Sequence, residues 1–298
     1  MTEFEDPVTH VQFGNSPDIW IDQHATGYAQ EVADYLDELT AGTRRPDEKP
    51  LLDSFNSHVE KVVTAFDHSK IKHRGDSLLF SDIYAAADDT TTAMDEVLQR
   101  AHIELLMALL AAEVELRGPL RLSRTQNMRL ADTYEQLGHR LLSAELPGQR
   151  AKTFLPGHAA MAFLRASGLH ALNEDIDAQD RCGLALARAR RTAIHPAWRR
   201  SAGWASDLMC GYGYRPFRLL VWIAALLLVF TVALWLSTPI SITTSLHMCL
   251  INFLNPLGLG DIEKVSRAGH VLLIIESYAG IVATSVFFAL LVRRWFRL

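Results

Sequence analysis

LLVWIAALLLVFTVALWL, residues 219–236, holds one polar side chain, Thr231, in 18 residues. As a helix rising 1.5 Å per residue it is roughly 27 Å long, close to the ~30 Å hydrocarbon core of a bilayer. A core helix of a soluble protein seldom stays apolar on every side. The lack of charge extends further: no Asp, Glu, Lys or Arg occurs from Leu219 to Gly260, a run of 42 residues. A second apolar stretch, GHVLLIIESYAGIVATSVFFALLV (269–292), contains one charge, Glu276, and is followed by Arg293, Arg294, Trp295, Phe296 and Arg297. Arginines and aromatics just past an apolar run are typical of the membrane–water interface. The pair predicts an all-α membrane protein with spans at 219–236 and 269–292.

The basic flanks give the orientation. Arg199, Arg200, Arg215 and Arg218 precede the first span, and Arg293, Arg294 and Arg297 follow the second. The connection carries Lys264 and Arg267, offset by Asp261 and Glu263. The bias of Lys and Arg toward the inner face therefore expects a multi-pass cell-membrane protein with both termini in the cytoplasm.

Between the spans lies PISITTSLHMCLINFLNPLGLGDI (239–262), which is mostly apolar and uncharged until Asp261. It is too short, and too interrupted by Pro239, Asn252, Asn255 and Pro256, to cross a bilayer and return. Irregular backbone at membrane depth survives only where protein or water surrounds it. The stretch therefore reads as a re-entrant segment. A short helix over 242–254 opens after the Ser/Thr-rich residues and stops at Asn255-Pro256, and residues 256–261 return as extended chain.

Alternating glycines suit such a return. Successive carbonyls face one axis only if φ alternates in sign, which Gly258 and Gly260 permit without a steric penalty. Four chains around an axis would stack rings of carbonyl oxygens in place of a cation's hydration shell. The short helix would turn its negative C-terminal end toward the same axis. Asp261 would add a ring of carboxylates at the outer mouth.

Residues 219–294 resemble the pore module of two-transmembrane potassium channels, in the broad family built from a span, a pore loop and a second span. The family filter reads Thr-Val-Gly-Tyr-Gly-Asp, against Pro256-Leu257-Gly258-Leu259-Gly260-Asp261 here. Cys210-Gly-Tyr-Gly-Tyr-Arg-Pro-Phe217 is similar to the lead-in to the first span in bacterial members with large N-terminal cytosolic regions. Glu276-Ser-Tyr-Ala-Gly280 and Leu291-Val-Arg-Arg294 are similar to their second span. The likeness implies a homotetrameric channel conducting a monovalent cation, with potassium as the leading ion. Two departures bear on selectivity. Pro256 keeps a carbonyl but removes the threonine hydroxyl ring, and Leu259 cannot form the hydrogen bond by which the family tyrosine holds the filter's width.

Glu276 is an ionisable group inside a span, which costs at least ~2.5 kcal/mol on insertion scales and marks a functional position by default. It lies about two turns into the second span, level with the short helix. It is expected to be protonated or to act as a hydrogen-bonded strut, with Thr243, Thr244 or His247 as partner. His247 is otherwise expected to pack. Gly280, four residues on along the same face, allows close helix packing or a hinge; the family resemblance favours the hinge.

The remainder of the chain reads as helical and cytosolic. Residues 1–118 carry a net charge of −14, residues 119–218 +7 and residues 219–298 +2. Helices are expected from Ser16-Pro17-Asp18 to Ala41, over 51–66, in one long piece over 82–117, and over 123–145, 157–172 and 176–192. Four regions follow: an acidic helical one (1–120), a helical hairpin (121–195), a juxtamembrane segment (196–218) and the pore module (219–298). The hairpin sets Ala162, Ala166, Gly168 and Ala171 against Ala178, Gly183, Ala185 and Ala189; it is similar to one unit of a tetratricopeptide-type array, and one unit is not an array. Trp198, Trp204, Leu208 and Met209, interleaved with Arg199 and Arg200, suit a helix lying along lipid headgroups.

Composition excludes other classes. At 49% hydrophobic residues the chain is not intrinsically disordered, and three distant cysteines (Cys182, Cys210, Cys249) build neither a disulfide scaffold nor a zinc ribbon. The first ten residues, MTEFEDPVTH, do not read as a secretory signal. No Walker loop, dinucleotide fingerprint or metal-spaced His/Cys cluster occurs, so neither an enzyme nor a cofactor is expected. The expected partners are further copies of the chain and membrane lipid, without nucleic acid and with no metal beyond the permeant cation. The competing expectation is a non-conducting protein that anchors a helical signalling or assembly domain through a degenerate pore loop.

Overall fold

The computed structural model describes residues 17–41, 47–65, 76–89, 95–118, 121–143, 155–194, 197–215, 217–255 and 265–295. Every regular element among them is helical. The chain divides into two units, 1–193 and 194–298.

The first unit holds α1 (Pro17–Ala41), α2 (Lys49–Ala65), α3 (Ser81–Asp89), α4 (Asp95–Arg117), α5 (Arg124–Ser143), α6 (Pro156–Leu172) and α7 (Ile176–Ala193). The regions expected separately at 1–120 and 121–195 share one core. It runs from Tyr28 and Phe55 through Leu106, Leu109 and Leu110 to Tyr134 and Phe163. The run LLMALLAAEVEL places α4 at the centre, packed against α1, α2, α3 and α5. Helix α5 begins with a capping box. Gln126 N–H donates to Ser123 Oγ (3.2 Å) while Ser123 N–H donates to Gln126 Oε1 (2.9 Å), satisfying two orphan donors reciprocally.

The long helix expected over 82–117 is two helices, with residues 90–94 outside the described residues. Asp88 and Asp89 compete for backbone hydrogen bonds, and the threonine run 90–92 is β-branched, so local preference for helix is weakest there. Arg140 of α5 reinforces the stop by donating to the carbonyls of Ala87 and Asp88 at the end of α3.

Buried polar networks tie the helices together. Glu113 of α4 is completely buried. It accepts from Tyr134 Oη (3.1 Å) and Arg165 Nε (2.8 Å), and pairs with Arg117 Nε at 2.6 Å. Glu48, just before α2, reaches the start of α6. Its Oε2 accepts from Gly157 N–H (2.7 Å) and its Oε1 from His158 N–H (3.0 Å), with His158 Nδ1 2.7 Å away. The other ring nitrogen of His158 meets Tyr28 Oη, which donates to the Leu51 carbonyl (3.2 Å). An acidic side chain from a segment 109 residues away thus caps α6.

The expected small-residue face of α6 is only partly buried. Ala162 and Ala166 pack inward with Ala159, Phe163, Leu169 and His170, whereas Gly168 and Ala171 face solvent. The α6–α7 turn passes through Glu174 at φ 62°, a left-handed residue, after which Asp175 Oδ1 accepts from Ala178 N–H at the start of α7 (3.0 Å).

The second unit holds α8 (Ala197–Cys210), a 3-10 turn (Gly211–Gly213), α9 (Phe217–Ser237), α10 (Ile242–Leu254) and α11 (Arg267–Trp295). The turn carries positive φ at Gly211, Tyr212 and Gly213. Helices α9 and α11 are each long and apolar enough to cross a membrane. Most of their apolar surface is uncovered, Val221 being 69% exposed and Leu236 72%, so neither is a core helix of this unit.

Candidate pore module

Helix α10 has the bounds expected for it, 242–254, and its ends follow from its own residues. Ser241 is the N-cap, its Oγ accepting from Thr244 N–H (3.2 Å), and Asn255 closes the C-terminus with its N–H on the Ile251 carbonyl (2.7 Å). Thirteen residues span roughly 20 Å, too little to cross a bilayer. The helix packs against both α9 and α11, which also pack on each other.

Each of these helices presents one stripe to the others. On α10 the buried residues are Ser245, Cys249 and Asn252; on α11 they are Gly269, Leu273, Glu276 and Gly280; on α9 Thr231 and Leu234 are buried. Spacings of three, four and seven residues put each set on one helix face. Leu234, Cys249 and Leu273 form the apolar centre, with Phe230, Ile240, Met248 and Val265 around them.

Glu276 lies inside this contact, 1% exposed, and its partner is Asn252. Asn252 Nδ2 donates to Glu276 Oε2 (3.1 Å) and to the Leu273 carbonyl (2.7 Å), spending both amide hydrogens on α11. The helix that supplies the partner is the expected one, but the residue is not Thr243, Thr244 or His247. The Thr244 hydroxyl is turned back onto Ser241 Oγ (2.7 Å) at the helix start, and His247 is exposed on the opposite side from the stripe. Asn252 had read from sequence only as an interruption of an apolar run. The signal that finds it is the i, i+4, i+7 alignment of Ser245, Cys249 and Asn252, a polar line down one side of an otherwise apolar helix.

Gly280 of α11 faces Phe253 of α10. A Cβ there would stand 2.9 Å from Phe253 Cδ2, so the glycine is what lets the Phe253 ring lie against α11. The helix continues through this position from Arg267 to Trp295. At Gly269 a Cβ would lie 2.5 Å from Val265 Cγ1 and 2.9 Å from Thr238 Oγ1, so this glycine lets the start of α11 lie against the end of α9.

The expected filter, Pro256, Leu257, Gly258, Leu259, Gly260 and Asp261, lies outside the described residues. What the structure describes is the frame on either side of it: a short capped helix ending at Leu254, and a long helix locked to it through Asn252, Glu276 and Gly280. Helix α8, expected as an interfacial segment, leaves Trp198, Trp204, Leu208 and Met209 exposed, and Trp222 Nε1 of α9 donates to its Leu208 carbonyl (3.1 Å).

Compared with protein-family models, curated proteins and solved structures, the chain matches none of them.

Proposed function

We propose that this chain is one subunit of a homotetrameric cation channel, with potassium as the leading permeant ion. Its helices α9 and α11 span the cell membrane, and α10 is the pore helix of a re-entrant loop. The observation that carries the reading is a helix too short to cross, fixed between two long enough to do so, and followed directly by a Pro-Leu-Gly-Leu-Gly-Asp stretch. A helix of that length has no reason to be so apolar in an ordinary extramembrane loop. Its C-terminal end, pointing into the glycine-containing stretch, supplies the negative potential a cation site needs.

The carbonyls of residues 256–259 are the proposed ion ligands, and Asp261 the outer carboxylate ring. Asn252 and Glu276 act as a strut that fixes pore-helix depth against the second span. The uncovered apolar faces of α9 and α11 meet lipid and neighbouring subunits, and the basic flanks favour a cytoplasmic position for both termini. Helix α8 lies along the inner headgroups.

One strand cannot enclose an ion, so cyclic assembly is required. Purified full-length chain in a membrane mimetic, sized by light scattering, is expected to run as four copies. A monomer or dimer at all concentrations would favour the anchor reading instead.

A further inference from the structure

The first unit contains a group of metal-binding side chains that no sequence spacing announces. Glu135 of α5, His170 of α6 and Cys182 of α7 come from three helices, and their ligand atoms all lie within 4.8 Å of one another. We propose that Glu135, His170 and Cys182 form a site for a divalent metal of the zinc class, clamping α5, α6 and α7 together.

Three observations carry the proposal. The first is the state of His170. It is 3% exposed, and neither ring nitrogen has a hydrogen-bond partner. A buried imidazole normally satisfies at least one nitrogen, and leaving both unmet is costly. Its Nε2 points toward Glu135 at 3.9 Å from Oε2, beyond hydrogen-bond range but suited to a shared ion between them.

The second is the donor set. One imidazole nitrogen, one thiol sulfur and one carboxylate oxygen are the three ligand types zinc accepts, at about 2.0–2.3 Å from the metal, leaving a fourth position open. Ligand atoms of such a site stand roughly 3.3–3.8 Å apart, so the cluster closes with side-chain movements of about 1 Å. His139, one turn beyond Glu135 on α5, has its Nε2 4.0 Å from Glu135 Oε1. Binding takes the proton from the Cys182 thiol and releases it to buffer.

The third is the guard on the site. Without metal, Arg181 holds both Glu135 oxygens, Nε to Oε1 at 2.7 Å and Nη2 to Oε2 at 3.0 Å. The Arg181 side chain is 59% exposed, so it can withdraw into water when a cation takes its place. Arginine therefore competes with metal for one carboxylate, giving a test whose sign a purely structural cluster would not reproduce.

The experiment uses the full-length chain in detergent, stripped with a chelator and titrated with Co²⁺. One equivalent per chain is expected, with a near-ultraviolet sulfur-to-cobalt charge-transfer band that Zn²⁺ displaces. Cys182→Ser should abolish the band, whereas Cys210→Ser and Cys249→Ser should keep it. His170→Ala should weaken binding by more than about 100-fold, since losing even an outer partner of a ligand costs about 10–100-fold. Arg181→Gln, a change on a side chain that is mostly in solvent, should tighten binding severalfold. The proposal is overturned if the unaltered chain shows no thiolate band, if the band survives Cys182→Ser, or if Arg181→Gln leaves affinity unchanged. None of these results depends on whether the second unit conducts.

Discussion

Replacing Gly258 or Gly260 by alanine is expected to abolish cation current from the reconstituted protein. The proposed filter needs alternate residues on opposite sides of φ = 0, so that neighbouring carbonyls face the same axis. A Cβ in the left-handed region costs roughly 1–2 kcal/mol per residue. Four subunits carry the change at once, so one ring of the tetramer bears about 4–8 kcal/mol, more than an ion-coordinating loop can absorb without turning its carbonyls away. Single-channel recording checks this. Both variants should still insert and assemble, because nothing in α9, α10 or α11 is altered. Unchanged conductance in both would remove the filter assignment.

Glu48→Ala is expected to be the most damaging single change in the first unit. The substitution strips the cap from α6, leaving the N–H groups of Gly157 and His158 without acceptors, and removes the carboxylate beside His158 Nδ1. His158 is completely buried, so water does not replace the lost partner. Losses of this kind, where one member of a buried pair is deleted, run to about 3–5 kcal/mol. Glu48→Gln retains one acceptor oxygen and should cost distinctly less. Urea unfolding of the purified chain, with amide hydrogen exchange localising the change to the start of α6, measures both. A midpoint for Glu48→Ala indistinguishable from that of the unaltered chain would show that this contact does not stabilise the unit.

The parts of the architecture that were legible in sequence are those decided locally. Helix α10 stands at 242–254 as expected because both its signals are adjacent in sequence: a serine that caps its start and an asparagine–proline pair that stops it. Helices α9 and α11 follow from long apolar runs, and the two helices of the hairpin from the turn at Asn173-Glu174-Asp175 between them. The break between α3 and α4 was less plain, because apolar periodicity on both sides of 90–94 hides a local weakness that Arg140, from another helix, helps to fix.

What sequence could not supply was pairing across helices. Glu276 was recognisable as a costly residue needing a partner, but Asn252 rather than Thr243, Thr244 or His247 meets it, because only the rotation of α10 in its packed position decides which face turns inward. The same limit hid Glu48 as the cap of α6, and it hid the convergence of Glu135, His170 and Cys182, which are separated by 35 and 12 residues and fit no metal-binding motif.

The pore assignment meets its most direct test in reversal potentials. Purified protein in planar bilayers, under opposed potassium and sodium gradients with more total salt on one side, so that the anion's equilibrium potential lies away from the midpoint of the two cations, should pass current that reverses toward the equilibrium potential of potassium and stays far from that of the anion. Reversal midway between potassium and sodium would keep the cation pore and assign its weak discrimination to Pro256 and Leu259. No current from verified tetramers, or reversal that follows the anion, would contradict it.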